Sequence, residues 1–289
     1  MRRILFIAIL IISLYDVSAQ IKIESVGPPQ PVKLTQKEIY DSAKVTVFYD
    51  YGCLEPNSNG PNVRKYSEVI LLIGEKYIGS MDWRIFQTDS INDDYYWNKR
   101  GSQVDLLNLF INDERYRSAY RYPVVVNLEN KEATLLNNTH TTYYKYKQQL
   151  PKIEWKLEKE EKKIKGVRCL KATCRFGGRD WTAWYAPEYA MPYGPYLFNG
   201  LPGLIMQVVD TKKNFAFKFK GIEFWEPGRC IYLIQLDNMI VTTRDKAREA
   251  IRNFCKDPNG AVKAIDENFG KSPLSTIKVS LPYNPIELE

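Results

Sequence analysis

Residues Phe215–Phe224 read FAFKFKGIEF. Phe215, Phe217 and Phe219 alternate with Ala216, Lys218 and Lys220, and the two-residue period of a strand puts the rings on one face and the lysines on the other. A strand with one buried and one wetted face belongs in an antiparallel sheet, because parallel strands are covered on both faces. Working outward, short β-branched or aromatic runs bounded by turn residues recur at 45–50, 66–73, 123–128, 132–136, 153–158, 167–176, 181–186, 204–209 and 230–236. Gly177-Gly178 is a hairpin signal between two of these runs, and 211–214 is another.

Helices are expected to be few. From Thr242 the sequence TTRDKAREAIRNFC sets Ala247, Ala250, Ile251 and Phe254 on one face, with Thr242 and Asp245 spaced as a capping box. A second helix is expected over 261–268, after the Pro258-Asn259-Gly260 turn, and a third over 104–117 behind Ser102. Strands in a run with helices at one end or face make the fold class α+β, mainly antiparallel β.

The chain opens on Arg2 and Arg3, runs through an apolar stretch over 4–14, and reaches Val17-Ser18-Ala19 before Gln20. That is the pattern of a signal peptide over 1–19. The apolar run is shorter than the ~20 residues a membrane-spanning helix needs, so a soluble protein outside the cytoplasm is expected, with no transmembrane segment after cleavage. No linker interrupts 20–289, which is read as one domain. Removing 1–19 takes away Arg2, Arg3 and Asp16 and lowers the formal net charge from +7 to +6. The densest charge run, 156–165 (KLEKEEKKIK), mixes both signs. A nucleic-acid footprint would be one-signed, so the run reads as a solvated strand or hairpin and no nucleic acid is expected.

Export makes disulfides permissible for Cys53, Cys169, Cys174, Cys230 and Cys255, with pairing open and at least one thiol left over. Buried free thiols are an equal alternative. Cys169 and Cys174 are five apart in one strand, so alternation points them to opposite faces. His140 is the one histidine in the chain and sits in a polar turn, NNTHTT. That argues against histidine-rich metal sites and most Ser or Cys nucleophile schemes. Asp89, Asp93, Asp94 and Asp105 lack the regular spacing of a calcium loop. No metal, cofactor or catalytic residue is indicated. Carboxylate pairs leave no sequence signature, so a hydrolase built on two of Glu154, Asp180, Glu188 and Asp210 stays open.

The unusual stretch is 181–205, WTAWYAPEYAMPYGPYLFNGLPGLI. Pro187, Pro192, Pro195 and Pro202 fix φ and remove donors, which excludes a regular helix or central strand over 188–199. The composition describes a stiff loop packed by its own aromatics. Gly200, Pro202 and Gly203 mark a structural turn, with Pro202 and Gly203 placed as the central residues of a type II turn. Two readings stand side by side. The turn closes the core over one end of the sheet, or Trp181, Trp184, Tyr185, Tyr193, Tyr196 and Phe198 line a pocket or lip for an apolar ligand or a partner's chain.

Gly200-Leu201-Pro202-Gly203-Leu204-Ile205 resembles the motif that names the GLPGLI family, exported Bacteroidota proteins of unknown biochemical function. Further matches are Gly166, Cys169, Lys171-Ala172-Thr173, Phe176, Gly178-Arg179, Trp181, Ala183-Trp184 and Pro192 with Gly194-Pro195. The resemblance spans about 43–224, with a strand and helices following over 230–268. It implies a Gram-negative envelope protein, periplasmic or associated with the outer envelope, and brings no catalytic residues. By analogy with lipoprotein carriers, the sheet is expected to be a curved half-barrel with helices packed on it or at one end. The leading functional expectation is a non-enzymatic protein binding an apolar or polymeric ligand or an envelope partner through the aromatic loop. The alternatives are a carboxylate hydrolase and an envelope assembly protein.

Overall fold

The computed structural model describes residues 22–24, 28–55, 57, 61–99, 101–113, 118–139, 142–224, 228–236, 239–265, 280–281 and 283–289. The expected signal peptide and His140 lie outside them, as do the ends of the two helices expected over 104–117 and 261–268.

In chain order the strands are β1 (Lys37–Ser42), β2 (Val45–Glu55), β3 (Val63–Ile73), β4 (Tyr77–Asp82), β5 (Val124–Asn127), β6 (Glu132–Asn138) and β7 (Tyr143–Gln149). They continue with β8 (Lys156–Ile164), β9 (Val167–Phe176), β10 (Arg179–Ala186), β11 (Leu204–Asp210), β12 (Phe215–Phe224), β13 (Cys230–Ile234) and β14 (Ile240–Val241). The helices are α1 (Trp83–Trp97), α2 (Gln103–Asn112), α3 (Arg244–Lys256) and α4 (Pro258–Ile265). Twelve strands form one sheet in the order β14-β7-β6-β5-β4-β3-β2-β12-β11-β10-β9-β8, antiparallel except where β14 meets β7. The fold is therefore α+β and mainly antiparallel.

The opening strand behaves as its alternation requires. In β12, Phe215, Phe217 and Phe219 are buried while Lys218 and Lys220 are exposed. The Gly177-Gly178 hairpin joins β9 to β10 with both glycines at positive φ, 57° and 71°, as a type I′ turn demands. The charged run is the edge strand β8, where lysines and glutamates of both signs blunt an unpaired edge.

One face of the sheet feeds a single hydrophobic cluster with side chains from β2 through β12. Eight inter-strand steps separate β7 from β10, about 38 Å if the sheet were flat. Yet Glu287 is bound by Arg244, on the helix that packs against β7, while the next residue, Leu288, donates its N–H to Gly177 O beside β10. The sheet must curl around the cluster, though its order remains open rather than closed into a barrel. A second cluster covers the opposite face of β2–β6, where Phe48, Ile70, Leu72, Met81, Val125 and Leu136 meet Ile231, Tyr232 and Leu233 of β13, with Trp83 and Phe86 of α1 packed alongside. There β13 pairs with β1 in a small sheet of its own.

Two details depart from the sequence reading. Helix α1 was not expected, because its aromatic and β-branched residues make a weak amphipathic pattern. It is started by Asp82, whose side chain accepts from the backbone N–H of Arg84 and Ile85 at 2.8 and 3.3 Å. The cap of α3 is Thr243, one residue later than expected, accepting from Lys246 N. As alternation requires, Cys174 stands opposite the inward-facing Trp181 and Cys169 opposite Lys162, whose ammonium lies over the outer-face Trp184. Among the described residues no helix is long and apolar enough to cross a membrane.

Candidate functional site

The aromatic loop runs from the end of β10 at Ala186 to the start of β11 at Leu204. Prolines deny it a regular ladder, so it satisfies its backbone through turns. Gly194 N donates to Phe198 O at 2.9 Å, Gly200 N to Pro192 O at 3.0 Å, and Ile205 N to Tyr193 O at 3.0 Å. Leu204 N reaches back to Tyr189 O at 3.1 Å. The Asn199 side-chain amide donates to Pro151 O and Leu197 O, and Trp155 Nε1 donates to Asn199 O at 2.8 Å. Each bond replaces one the strand ladder would have made, which is what an ordered buried loop requires.

The loop lies inside the curl. Tyr196, Leu197, Phe198 and Leu201 are all buried. Phe198 stacks edge-on against Trp181 at a centroid distance of 4.7 Å and against Phe176 at 5.5 Å, contacts worth about 0.5–1.5 kcal/mol each beyond area burial. Of the aromatics expected at a pocket or lip, Trp181, Tyr185, Tyr196 and Phe198 sit in the core. Trp184 is half-buried on the outer face, where the Lys162 ammonium stands 4.3 Å above its ring. Tyr193 stays half-exposed at the rim with Tyr189 and Met191.

Gly203 is indispensable for a reason other than the expected one. Its φ is +148°, well away from the roughly +80° of a type II turn, and its N–H turns back to Leu201 O at 2.8 Å. A Cβ there would lie 2.2 Å from Ala186 O. Close backbone approach, not turn type, selects the glycine. Gly200 adopts φ +87° with open space around it, and Pro202 is exposed. Tyr196 itself holds φ +59°, a conformation costly for a bulky side chain and retained only where the surroundings over-determine it. Its N–H donates to Ser80 Oγ on β4 at 3.1 Å, and its hydroxyl donates to the buried Glu287 carboxylate.

Sequence reasoning missed residues 283–289, which pack against the same inner face of the sheet. Ile286 is buried in the main cluster and Glu287 beside it. The buried Arg179 donates from Nε to Ile286 O at 3.0 Å and from Nη2 to Asn284 Oδ1 and Pro285 O at 2.6 and 2.7 Å. Its other flank faces Asp210 at 3.6 Å, and its guanidinium lies over the Phe215 ring.

The carboxylates considered for hydrolysis do not gather. Asp180 is exposed and paired with Arg175 at 3.1 Å, while Asp210, opposite the inward-facing Trp181, accepts from Phe215 N at 2.6 Å and Asn214 Nδ2 at 3.0 Å. Glu154 and Glu188 are exposed. All five cysteines are free thiols. Burial raises the pKa of Cys53, Cys169 and Cys255 and pushes Cys174 up to about 12, which leaves these four protonated and unreactive at neutral pH. Among the described residues no three His, Cys, Asp or Glu side chains cluster as a metal site. Two surface hollows, of about 490 and 400 Å³, are lined around Pro31 and Asp105 and around Tyr144 and Phe254, and neither includes a loop aromatic.

No protein-family model matches the chain, and no curated protein does either. Solved structures of PNGF-II in two space groups, P21 and C2, overlap it loosely. Their TM-scores are 0.45 and 0.43, with 14% and 15% identity over 73% and 72% of this chain. The chain spans about a third of the length of those structures, 33% and 32%. So loose an overlap says nothing about activity.

Proposed function

We propose that the chain is an exported envelope protein of the GLPGLI type that acts by binding, and that its binding face is the rim of the aromatic loop. The reading rests on the division of labour within the loop. Tyr196, Leu197, Phe198 and Leu201 anchor it in the core, while Tyr189, Met191 and Tyr193, with Trp155 beside them, stay half-exposed on that frame. Aromatic side chains on a rigid backbone lose little conformational entropy on association, which favours them as contact residues. Because the loop fills the inner face of the sheet, the ligand best suited to the rim is an extended one, a polymer or a partner's chain, laid across the surface. A lipid carrier would instead need an apolar cavity where Phe198 and Leu201 stand.

Photo-crosslinking in cells tests this. A photoreactive residue replacing Tyr193 should give discrete adducts that the same residue at Tyr66, an exposed tyrosine on β3, does not. Tyr193→Ala should remain folded, with a thermal midpoint within a few degrees of wild type, and should lose binding to the adduct partner once it is purified. Equal adducts from both positions, or none from Tyr193, would sink the proposal.

A further inference from the structure

Residues 283–289, YNPIELE, are held the way a bound peptide is held. A strand joins a sheet through its own backbone ladder. Here the backbone contributes Leu288 N to Gly177 O at 2.7 Å, and arginine side chains from two different elements do most of the rest. Arg179 of β10 reads three successive residues through Asn284 Oδ1, Pro285 O and Ile286 O. Arg248 of α3 donates to Glu287 O at 3.1 Å, and Arg244 of α3 donates to the Glu287 carboxylate at 2.5 Å and to Glu289 O. Asn284 Nδ2 donates to Leu54 O of β2 at 2.8 Å. The pattern of a buried apolar anchor, Ile286, followed by a buried carboxylate between a tyrosine hydroxyl and an arginine is side-chain recognition by a pocket.

Two features of the walls fit that purpose. Gly177 and Gly178 form a floor without side chains: a Cβ on Gly177 would lie 2.7 Å from Glu287 Cγ, and one on Gly178 would lie 2.9 Å from Glu289 Oε1. Tyr196 carries its positive φ where its hydroxyl meets Glu287. Strain of this kind clusters at ligand clamps.

We propose that this slot is a peptide-binding site which residues 283–289 occupy in cis, and that it accepts in trans an extended peptide with the same chemistry: an Asn-Pro step, an aliphatic residue and a glutamate. The reading is independent of the loop rim, since Tyr196 is interior and the rim residues do not touch the slot.

The test uses the full chain carrying Ile286→Asp and Glu287→Lys, whose own segment can no longer seat, with a fluorescein-labelled YNPIELE peptide followed by anisotropy. The variant should bind the peptide at least about tenfold more tightly than wild type, whose slot is filled. Adding Arg179→Met should weaken that binding by a further tenfold or so, and a peptide with Gln in place of its first Glu should bind correspondingly less. A folded variant that ignores the peptide at millimolar concentration overturns the proposal. Should the variant fail to fold, wild-type hydrogen exchange decides. Excess unlabelled peptide should speed exchange at the Leu288 amide by displacing it, and a Leu288 rate unmoved by peptide overturns the proposal equally.

Discussion

The aromatic loop and residues 283–289 fill the same inner face of the curled sheet by opposite means. The loop closes on itself through backbone hydrogen bonds and plugs the core with rings, so its stability is apolar area plus satisfied amides. The later segment brings one apolar anchor and is otherwise caught by arginines. Apolar burial is not weakened by screening, whereas charge-assisted contacts weaken as ionic strength rises wherever solvent reaches them. The loop should therefore open only when the domain unfolds, and the segment should come away earlier.

Substitutions that break this contrast are ordered by expected size. Gly203→Ala forces a Cβ to 2.2 Å from Ala186 O at φ +148°. It should cost more than about 4 kcal/mol and leave little folded protein by circular dichroism. Phe198→Ala removes the ring at the centre of the loop's packing and should cost about 4 kcal/mol in urea denaturation, with the whole domain losing stability together. Arg179→Met strands the buried Asp210 carboxylate and frees the carbonyls of 284–286, a loss of about 3 kcal/mol. Unlike the Phe198 change, it should expose 283–289 to proteolysis under conditions where the loop stays intact.

A carboxylate on the other face of the sheet sharpens the contrast between apolar and ionic holding. Burial of Asp89, where α1 meets β13, pushes its pKa up to about 6, against the opposing pull of the Tyr232 hydroxyl and Lys37. A folded-state pKa above the unfolded value favours the protonated form in the native state. The stability it confers is complete below about pH 4 and lost as pH rises through about 6. Asp89→Asn should accordingly stabilise the protein by roughly 2 kcal/mol at pH 8 and by almost nothing at pH 4, as read from paired thermal melts.

What the sequence revealed follows the same division. Period-two alternation located β12 to the residue, a turn-bounded β-branched run did the same for β9, and Gly177-Gly178 located the hairpin between β9 and β10, because a strand's faces and a turn's φ are local properties. Proline and glycine spacing marked the loop as ordered, yet its direction, into the core or out to a ligand, depends on how far the sheet curls, which no local pattern encodes. Gly203 was identified with the wrong reason attached, since its close neighbour, Ala186 O, lies across the loop. Helix α1 hid behind aromatic and β-branched residues that read as strand or loop. Residues 283–289 carry no periodicity at all, and their partners Arg179 and Arg244 lie about a hundred and about forty positions away. Side-chain recognition at that separation leaves no trace in a window.

Native-state hydrogen exchange at Gly194, Leu204 and Ile205, compared with Tyr49 and Phe217 in β2 and β12, tests the filled-core account most directly. If the loop is core, its three amides exchange only through global unfolding, at the rates of the central strands, while Leu288 exchanges faster. If those loop amides exchange orders of magnitude faster than the central strands, the loop is a lid over a cavity and the account is wrong.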